Sequence, residues 1–422
     1  MTHALATLTR LPAAHAKGQR PGLTSVCSAH PLVIEAALME AAATGAVACI
    51  EATCNQVNQD GGYTGMTPAD FRAFVLRIAA RLKFPAENIL FGGDHLGPNP
   101  WRKGSSDNAM AKAITMTRAY AAAGFGKIHL DASMSCADDP VPLPPQTMAA
   151  RAALLAQAAE EGAAAANHPA PAYIIGTEVP VPGGAAEHLD SLILTTPADA
   201  AETMAIHARA FAAFGLDAAF ARVVGLVVQP GVEFGQDNVI AFVPAAATAL
   251  IAARPALNAV YEAHSTDYQS AQSLHALVEG GFAILKVGPG LTFALREALY
   301  GLDLIAAELV PDYAAQTLPR AMEALMQAQP GDWAAYCHGS DSDQRLQRHF
   351  GYSDRIRYYW TQPLAGSAVD RLMQALHNRP IPEPLISQYL PRLMGHPANA
   401  RALLIAAVRL ALAPYSFACQ GD

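Results

Sequence analysis

Short apolar runs alternate with longer helical patterns along residues 23–309. The runs are rich in Val, Ile, Leu and Ala, and they predict eight strands at residues 23–27, 47–52, 89–93, 127–131, 172–178, 222–229, 259–264 and 282–287. The alanine-rich stretches between them predict helices at residues 31–44, 67–82, 107–123, 145–161, 197–214, 244–253, 270–279 and 292–309. Eight βα units predict an α/β fold of the (β/α)8 TIM barrel type over residues 1–310.

The alternation stops after residue 310. Residues 311–422 contain helix-like stretches at 319–328, 367–378 and 399–412, an aromatic and basic cluster at 352–360, and prolines between 380 and 391. This pattern predicts a helical C-terminal extension that packs on the barrel or on a neighbouring subunit. The sequence assigns no chemistry to it.

Composition narrows the class of protein. The chain has 422 residues, is 52% hydrophobic and carries a net charge of −8 without acidic runs, which disfavours nucleic acid as a partner. Six cysteines without CxxC or CxxH spacing indicate reduced thiols. Neither a signal peptide nor an apolar stretch of the roughly 18 residues needed to span a membrane is recognised. We therefore expect a cytoplasmic protein without membrane contact.

Polar residues gather where the predicted strands end. Barrel enzymes build their active sites from these ends, whereas a purely structural core would place Val, Ile and Ala there. Nearly every predicted strand contributes to the set, which comprises Ser25, Ser28, His30, Glu51, Asn55, Gln56, Asp94, His95, His129, Asp131, Ser133, Glu178, Gln229, Glu233, His264, Ser265, Asp267 and Lys286.

Three members of this set have the residue types of a metal site. His95, Glu178 and His264 predict a divalent metal as cofactor, either zinc, manganese, nickel, cobalt or magnesium. Gln229 could add a neutral oxygen, and Asp94 could orient a ligand or act as an acid or base. Taken alone, each histidine has an ordinary explanation, such as a hydrogen bond within a loop.

Two glycine-bearing loops could bind a phosphate. They contain Gly183 and Gly184 after the fifth strand and Gly288 after the eighth, near the position where barrels commonly bind phosphate. Backbone N–H groups can hold a phosphate without a basic side chain, although each loop could equally be a simple turn. The further candidates for substrate or phosphate binding are Asn55, Gln56, Ser265 and Asp267. A Walker A motif and a GxGxxG motif after a strand are both missing, which disfavours a P-loop kinase and a dinucleotide enzyme.

Long motifs of the chain resemble one protein family. They include GGDHLGPNPW (residues 92–101), KIHLDASMSCADDP (127–140), GTEVPVPGG (176–184), YEAHSTDYQ (261–269) and SDRIRYYW (353–360). These runs are similar to the second subunits of D-tagatose-1,6-bisphosphate aldolase, the GatZ/KbaZ-like family. The resemblance implies the barrel fold of class II aldolases. The residues that match class II aldolase site positions are Asp94 and His95, Glu178 with Gly183 and Gly184, and His264. Gln229 stands where those aldolases carry a metal-binding histidine, which puts their usual three-histidine site in doubt.

The resemblance implies one of two functions. Some members resemble metal-dependent ketose 4-epimerases that interconvert D-tagatose 6-phosphate and D-fructose 6-phosphate, or the free sugars. Others are regarded as non-catalytic subunits that stabilise a class II aldolase. We expect the first function, with a ketose or ketose phosphate as substrate and a homo-oligomeric assembly. The alternative implies an aldolase subunit as partner.

The chemistry of a 2-ketose favours the epimerase hypothesis. The hydrogen on C4 is not acidic, so inversion needs either transient oxidation or cleavage and re-formation of the C3–C4 bond. The missing dinucleotide motif favours cleavage by a retro-aldol step. Asp94 is the expected base for the C4 hydroxyl, Glu51 or Asp131 a second acid/base group, and Lys286 a partner for phosphate or alkoxide.

Overall fold

The structure of the chain is a computed structural model that describes residues 2–177 and 192–420. The strands in this part of the chain are β1 (Leu23–Cys27), β2 (Ala48–Thr53), β3 (Ile89–Leu96), β4 (Lys127–Leu130), β5 (Ala172–Ile175), β6 (Val223–Val228), β7 (Glu233–Phe234), β8 (Val239–Ile240), β9 (Val260–Ala263) and β10 (Ile284–Val287). Eight of them are parallel and close into a barrel in the order β1-β10-β9-β6-β5-β4-β3-β2, while β7 and β8 form an antiparallel hairpin. The predicted (β/α)8 barrel is confirmed.

Helices cover the outside of the barrel and form the C-terminal extension. Several of them begin with Pro in the first turn, and Thr67 and Thr196 form capping boxes with Asp70 and Asp199. The α-helices of the described residues are α1 (His3–Ala16), α2 (Pro31–Thr44), α3 (Pro68–Leu82), α4 (Ser106–Ala122), α5 (Pro145–Ala165), α6 (Pro197–Ala213), α7 (Asp217–Phe220), α8 (Thr248–Ala253), α9 (Ala271–Glu279), α10 (Pro289–Leu309), α11 (Thr317–Ala328), α12 (Asp341–Phe350), α13 (Pro363–Ala375), α14 (Glu383–Tyr389) and α15 (Ala400–Cys419).

The helix α1 closes the end of the barrel where the strands begin. Leu5, Leu8 and Leu11 of this helix are buried in one apolar cluster with the early residues of the strands, such as Leu23 and Leu90. The sequence analysis had not predicted this helix. Because α1 covers one end, we expect ligands to reach the barrel from the opposite end.

The last helix, α15, packs against α2, α9 and α10 and completes the outer layer of the barrel. It has 20 residues and a mean hydropathy of 1.8, so by length and composition it could cross a membrane. The expectation that no stretch of the chain reaches this length is therefore wrong. Half of its apolar window is buried inside the protein, as in the core helix of a soluble protein. The helical extension is confirmed, whereas its boundary at residue 310 stays a prediction.

Candidate active site

The strand β3 carries Asp94 and His95 to the cavity. This strand was expected to end at Gly93, but that is wrong, because it runs on to Leu96. Its register against β4 shifts between Gly93 and Leu96, and His95 has a φ of 48°. Such irregularities redirect side chains in a strand and are common near active sites. Here the irregularity lets two consecutive side chains line the same cavity, which a regular strand does not allow.

Three histidines meet at this end of the barrel. His95 of β3, His129 of β4 and His264 after β9 are buried, and each has a ring nitrogen within 4.8 Å of the others. Two nitrogens that bind one ion at about 2.1 Å can be no more than about 4.2 Å apart, so small side-chain shifts would bring them to ligand distance. The structure therefore places together two predicted ligands and one histidine that the sequence analysis did not choose.

Each of these histidines contacts a carboxylate through one ring nitrogen. The pairs are His95 Nδ1 with Asp131 Oδ2 at 2.8 Å, His129 Nδ1 with Asp94 Oδ1 at 3.1 Å, and His264 Nε2 with Glu262 Oε1 at 2.9 Å. For His95 and His264, a carboxylate that accepts the N–H of the imidazole fixes the tautomer and leaves the second nitrogen for a metal. His129 Nδ1 differs, because it also accepts the backbone N–H of His95 at 3.3 Å. His129 Nε2 is buried and has no hydrogen-bond partner among the described residues. The donor set therefore fits a divalent ion.

The protonation states also suit a metal site. Burial lowers the pKa of His129 below its usual range and lowers the pKa of His264 to about 3, so both imidazoles are neutral at neutral pH. Burial alone would raise the pKa of the Asp94 and Asp131 carboxyls. Nearby histidines, together with Lys286 in the case of Asp94, instead hold both pKa values below their usual range. Neutral imidazoles beside ionised carboxylates are what metal binding requires.

A layer of buried charges lies below the histidines. Lys127 is fully buried and its Nζ lies 2.6 Å from Glu51 Oε1 and 2.7 Å from Glu262 Oε2. Lys286 contacts Asp94 Oδ1, and its Nζ lies 3.5 Å from Glu51 Oε2. A Cβ at Gly92 would come within 2.6 Å of Glu51 Oε1, so glycine at this position leaves room for that carboxylate.

A cavity of about 660 Å³, including its open mouth, lies at the strand ends. The predicted site residues among its lining are Asn55, Gln56, Asp94, His95, His264, Ser265, Asp267, Lys286 and Gly288. Nine of the residues predicted to form a site thus lie at one cavity.

Several predicted residues lie elsewhere. Glu51 and Asp131 contact Lys127 and His95 from behind and do not line the cavity. Gln229 does not line it either, and its Oε1 accepts the backbone N–H groups of Gly231 and Val232 at 2.9 and 3.0 Å. The structure directs this amide to its own turn rather than to the histidines. Glu178, Gly183 and Gly184 lie outside the described residues.

The loop after β10 does not offer free N–H groups to a ligand. Asp267 Oδ1 accepts the backbone N–H of Gly288 at 3.0 Å and that of Gly290 at 2.7 Å. A carboxylate of the protein thus occupies the position in which the sequence analysis expected a phosphate. Burial raises the pKa of Asp267 to about 6, which leaves this carboxyl mainly ionised at neutral pH.

The C-terminal extension contributes to the cavity, which the sequence does not predict. Arg357 and Tyr358, from the aromatic and basic cluster, line the cavity together with Tyr63 from the loop after β2. The ring of Tyr358 meets that of Tyr63 edge-on at 5.0 Å. The only sequence signal for this wall was the density of aromatic and basic residues at 352–360. Nothing in that signal shows which part of the barrel it faces.

Comparisons with known proteins identify the family. The sequence profile of the family described as D-tagatose-1,6-bisphosphate aldolase subunit GatZ/KbaZ-like matches residues 8–420. The chain belongs to this family. A member from Agrobacterium fabrum, strain C58, named D-tagatose 6-phosphate 4-epimerase, is 55% identical over 97% of both chains. This relative supports the expectation that the chain is an isomerase.

Two further family relatives carry different names. The GatZ subunit of D-tagatose-1,6-bisphosphate aldolase from Klebsiella pneumoniae is 50% identical over 97% of this chain and 98% of its own length. A crystal structure of a protein from Sinorhizobium meliloti 1021, called a probable tagatose 6 phosphate kinase, has a TM-score of 0.87 and 55% identity. It matches 94% of this chain and 100% of the chain compared. Each of the three relatives is at least 50% identical to this chain, but their names assign different activities.

Proposed function

We propose that the chain is a metal-dependent ketose 4-epimerase that interconverts D-tagatose 6-phosphate and D-fructose 6-phosphate, or the free ketohexoses. The observation that carries this proposal is the cluster of His95, His129 and His264, each beside a carboxylate, at the cavity formed by the strand ends. The name of the Agrobacterium relative supports the same reaction.

The three histidines would hold the metal through His95 Nε2, His129 Nε2 and His264 Nδ1, the nitrogens that form no hydrogen bond with a carboxylate among the described residues. Glu178 remains a proposed additional ligand. A divalent metal held there would supply positive charge that favours the build-up of negative charge on a carbonyl oxygen of the substrate. Zinc, manganese, nickel and cobalt accept imidazole readily, and magnesium prefers oxygen, so nitrogen ligands favour the first four.

The epimerisation itself proceeds by cleavage and re-formation of one carbon–carbon bond. Asp94 accepts the proton of the C4 hydroxyl, the C3–C4 bond breaks, and its electron pair moves towards C2 as C4 becomes an aldehyde. The aldehyde fragment rotates and C3 attacks its other face. Asp94 then returns the proton to the new C4 oxygen. Lys286 contacts Asp94, so its ammonium lies beside the carboxylate that takes up and returns this proton.

Glu51 and Asp131 act in this proposal as positioning residues. Asp131 orients the imidazole of His95, and Glu51 holds Lys127 and Lys286. Their effects on turnover would pass through those neighbours, because neither carboxylate lines the cavity. A Schiff-base role for Lys286 is disfavoured, since its ammonium is buried against Asp94 and Glu51, which raise its pKa although burial alone would lower it.

The second candidate is a subunit that stabilises a class II aldolase. The name of the Klebsiella relative favours it, since that protein is 50% identical over nearly all of the chain. The three-histidine cluster supports the epimerase, because a purely stabilising subunit has no need of a group of imidazoles at a cavity.

Metal removal tests the proposal. The purified chain would be treated with a chelator, reloaded separately with Mn²⁺, Zn²⁺, Ni²⁺, Co²⁺ or Mg²⁺, and incubated with D-fructose 6-phosphate or D-fructose. We expect tagatose products by ¹³C NMR in at least one metal state and none without metal. The Asp94→Asn variant should be folded and inactive. If no metal state turns over, and the chain instead activates an added class II aldolase, the epimerase proposal fails.

A further inference from the structure

We propose that Arg357 of the C-terminal extension binds the phosphate group of the substrate, and that the substrate class is therefore the ketohexose 6-phosphates. This inference rests on the proposed epimerase function and deepens it. It replaces the glycine-bearing loops by a side chain that lies more than 60 residues beyond the last strand of the barrel.

The cavity has two cationic side chains in its lining, and they differ in how their charge is balanced. Lys286 contacts Asp94 and lies 3.5 Å from Glu51, so its charge is compensated within the protein. Arg357 forms no ion pair with a carboxylate in residues 2–177 and 192–420. The partly buried guanidinium of Arg357 is thus available to an anionic ligand. A partly buried charge without an ion-pair partner is less favourable than a paired one, which gives an anion a reason to bind there.

The guanidinium of Arg357 is held in place by neutral acceptors. Its Nη1 donates to the carbonyl oxygens of Ser353 and Asp354, and its Nη2 donates to the Tyr358 hydroxyl at 2.9 Å. Arginine has five N–H donors, so the Nε–H and one N–H of Nη2 remain without a partner among the described residues. Adjacent N–H groups of a fixed guanidinium are suited to bidentate binding of a phosphate.

The surrounding side chains strengthen this arrangement. The guanidinium of Arg355 lies 4.5 Å from the centre of the Tyr358 ring, and that of Arg357 lies 4.4 Å from the same centre. Two cations thus share one aromatic ring, and the buried Arg355 adds positive potential without lining the cavity. Burial alone would lower the pKa of Arg357, but nearby tyrosines and Asp354 raise it, so the side chain keeps its charge.

The phosphate site predicted at the Gly288 loop is already filled by the protein. The N–H groups of Gly288 and Gly290 donate to Asp267, and a phosphate at the same place would face that carboxylate. Asn55 and Gln56 line the cavity beside Arg357 and offer amide groups to the hydroxyls of a sugar. A ketose with an anionic group at one end therefore matches the cavity better than a neutral sugar.

The test compares Arg357→Gln and Arg357→Lys with the wild type on two substrates, D-fructose 6-phosphate and D-fructose, in the metal-loaded full chain. We expect the ratio of kcat/KM for the phosphorylated over the free sugar to fall roughly 10- to 100-fold in Arg357→Gln, since a hydrogen bond to a charged group contributes about 1.5–3 kcal/mol. Arg357→Lys should restore part of the ratio. Arg102→Gln, at an exposed position outside the cavity, is the matched control.

A second readout does not depend on turnover. Calorimetric titration with inorganic phosphate should show binding to the wild type and to Arg102→Gln, and affinity at least about 10-fold weaker in Arg357→Gln, with circular dichroism confirming the fold. An unchanged substrate ratio, or phosphate binding that does not weaken, would overturn the role of Arg357. If the wild type converts neither sugar, the epimerase proposal fails by itself, and the phosphate titration alone decides for or against the anion site.

Discussion

At the end where its strands begin, the barrel is covered by the leucines of α1, and at the other end histidines, carboxylates and Lys286 surround a cavity. The same strands supply both ends. In β4, Lys127 and His129 face the interior two positions apart, as alternate residues of a strand do. The difference between the ends indicates that one determines stability and the other determines chemistry, with a layer of buried charges between them.

The largest expected effect is a loss of activity on substitution of a histidine at the open end of the barrel. His129→Ala removes a proposed metal ligand, and we expect activity to fall by about four orders of magnitude, or ~5 kcal/mol of transition-state stabilisation. Turnover of metal-loaded protein, with metal content measured by mass spectrometry, checks this. His377→Ala, at an exposed position, should change neither quantity. Normal turnover in His129→Ala would show that His129 is not a metal ligand required for activity.

A substitution in the layer of buried charges should lower the free energy of unfolding. Lys127→Met leaves Glu51 and Glu262 buried without their cation, and we expect about 4 kcal/mol less stability in urea denaturation. Lys112→Met is the control, because that side chain is 43% exposed and should change stability by no more than about 0.5 kcal/mol. Equal stability of the two variants would show that the layer does not contribute in this way.

A substitution at the closed end of the barrel should lower the stability of the protein but leave its catalytic activity unchanged. Leu8 is fully buried under the barrel, and Leu8→Ala should cost about 3 kcal/mol because it creates a cavity. The kcat/KM of the folded fraction should stay within about twofold of the wild type, since a contact distant from the cavity contributes little to the transition state. Leu346→Ala, at a side chain that is 51% exposed, serves as control. A large drop in kcat/KM for Leu8→Ala would contradict the claim that the closed end affects stability but not catalysis.

The smallest effect concerns pH. Burial raises the pKa of the Glu233 carboxyl, in the hairpin beside the open end, from 4.5 to about 7. Between pH 4.5 and pH 7 the folded chain keeps a proton on Glu233 that the unfolded chain has released. The contribution of Glu233 to stability therefore falls as pH rises through 7. Relative to Glu233→Gln, the wild type should lose about 1 kcal/mol between pH 6 and pH 8. Parallel pH dependence of the two proteins in urea denaturation would contradict this.

The barrel could be predicted because its signal is local. Each strand is an apolar run, and most helices begin with Pro or a capping residue, so element order follows from short windows of sequence. The helix α1 was missed because its residues were tested only as a signal peptide, although Leu5, Leu8 and Leu11 recur at helical spacing. This spacing is sufficient to predict the helix from the sequence.

The site could be predicted only in part. The alternation in β4 places Lys127 and His129 on one face, so the sequence could have indicated His129 as a candidate ligand. A buried lysine two residues before such a candidate is not expected from sequence. Gln229 was misplaced for a local reason, since the turn that follows it uses its amide oxygen. Arg357 was not predictable in this way, because its position depends on how a distant segment packs on the barrel.

The measurement that tests the central claim most directly is anomalous X-ray diffraction from crystals grown with Mn²⁺. The account predicts one anomalous peak, at ligand distance from nitrogens of His95, His129 and His264, beside the cavity that Asp94 and Arg357 line. A peak held by other residues, or no peak at these histidines under conditions in which the protein is active, would contradict it.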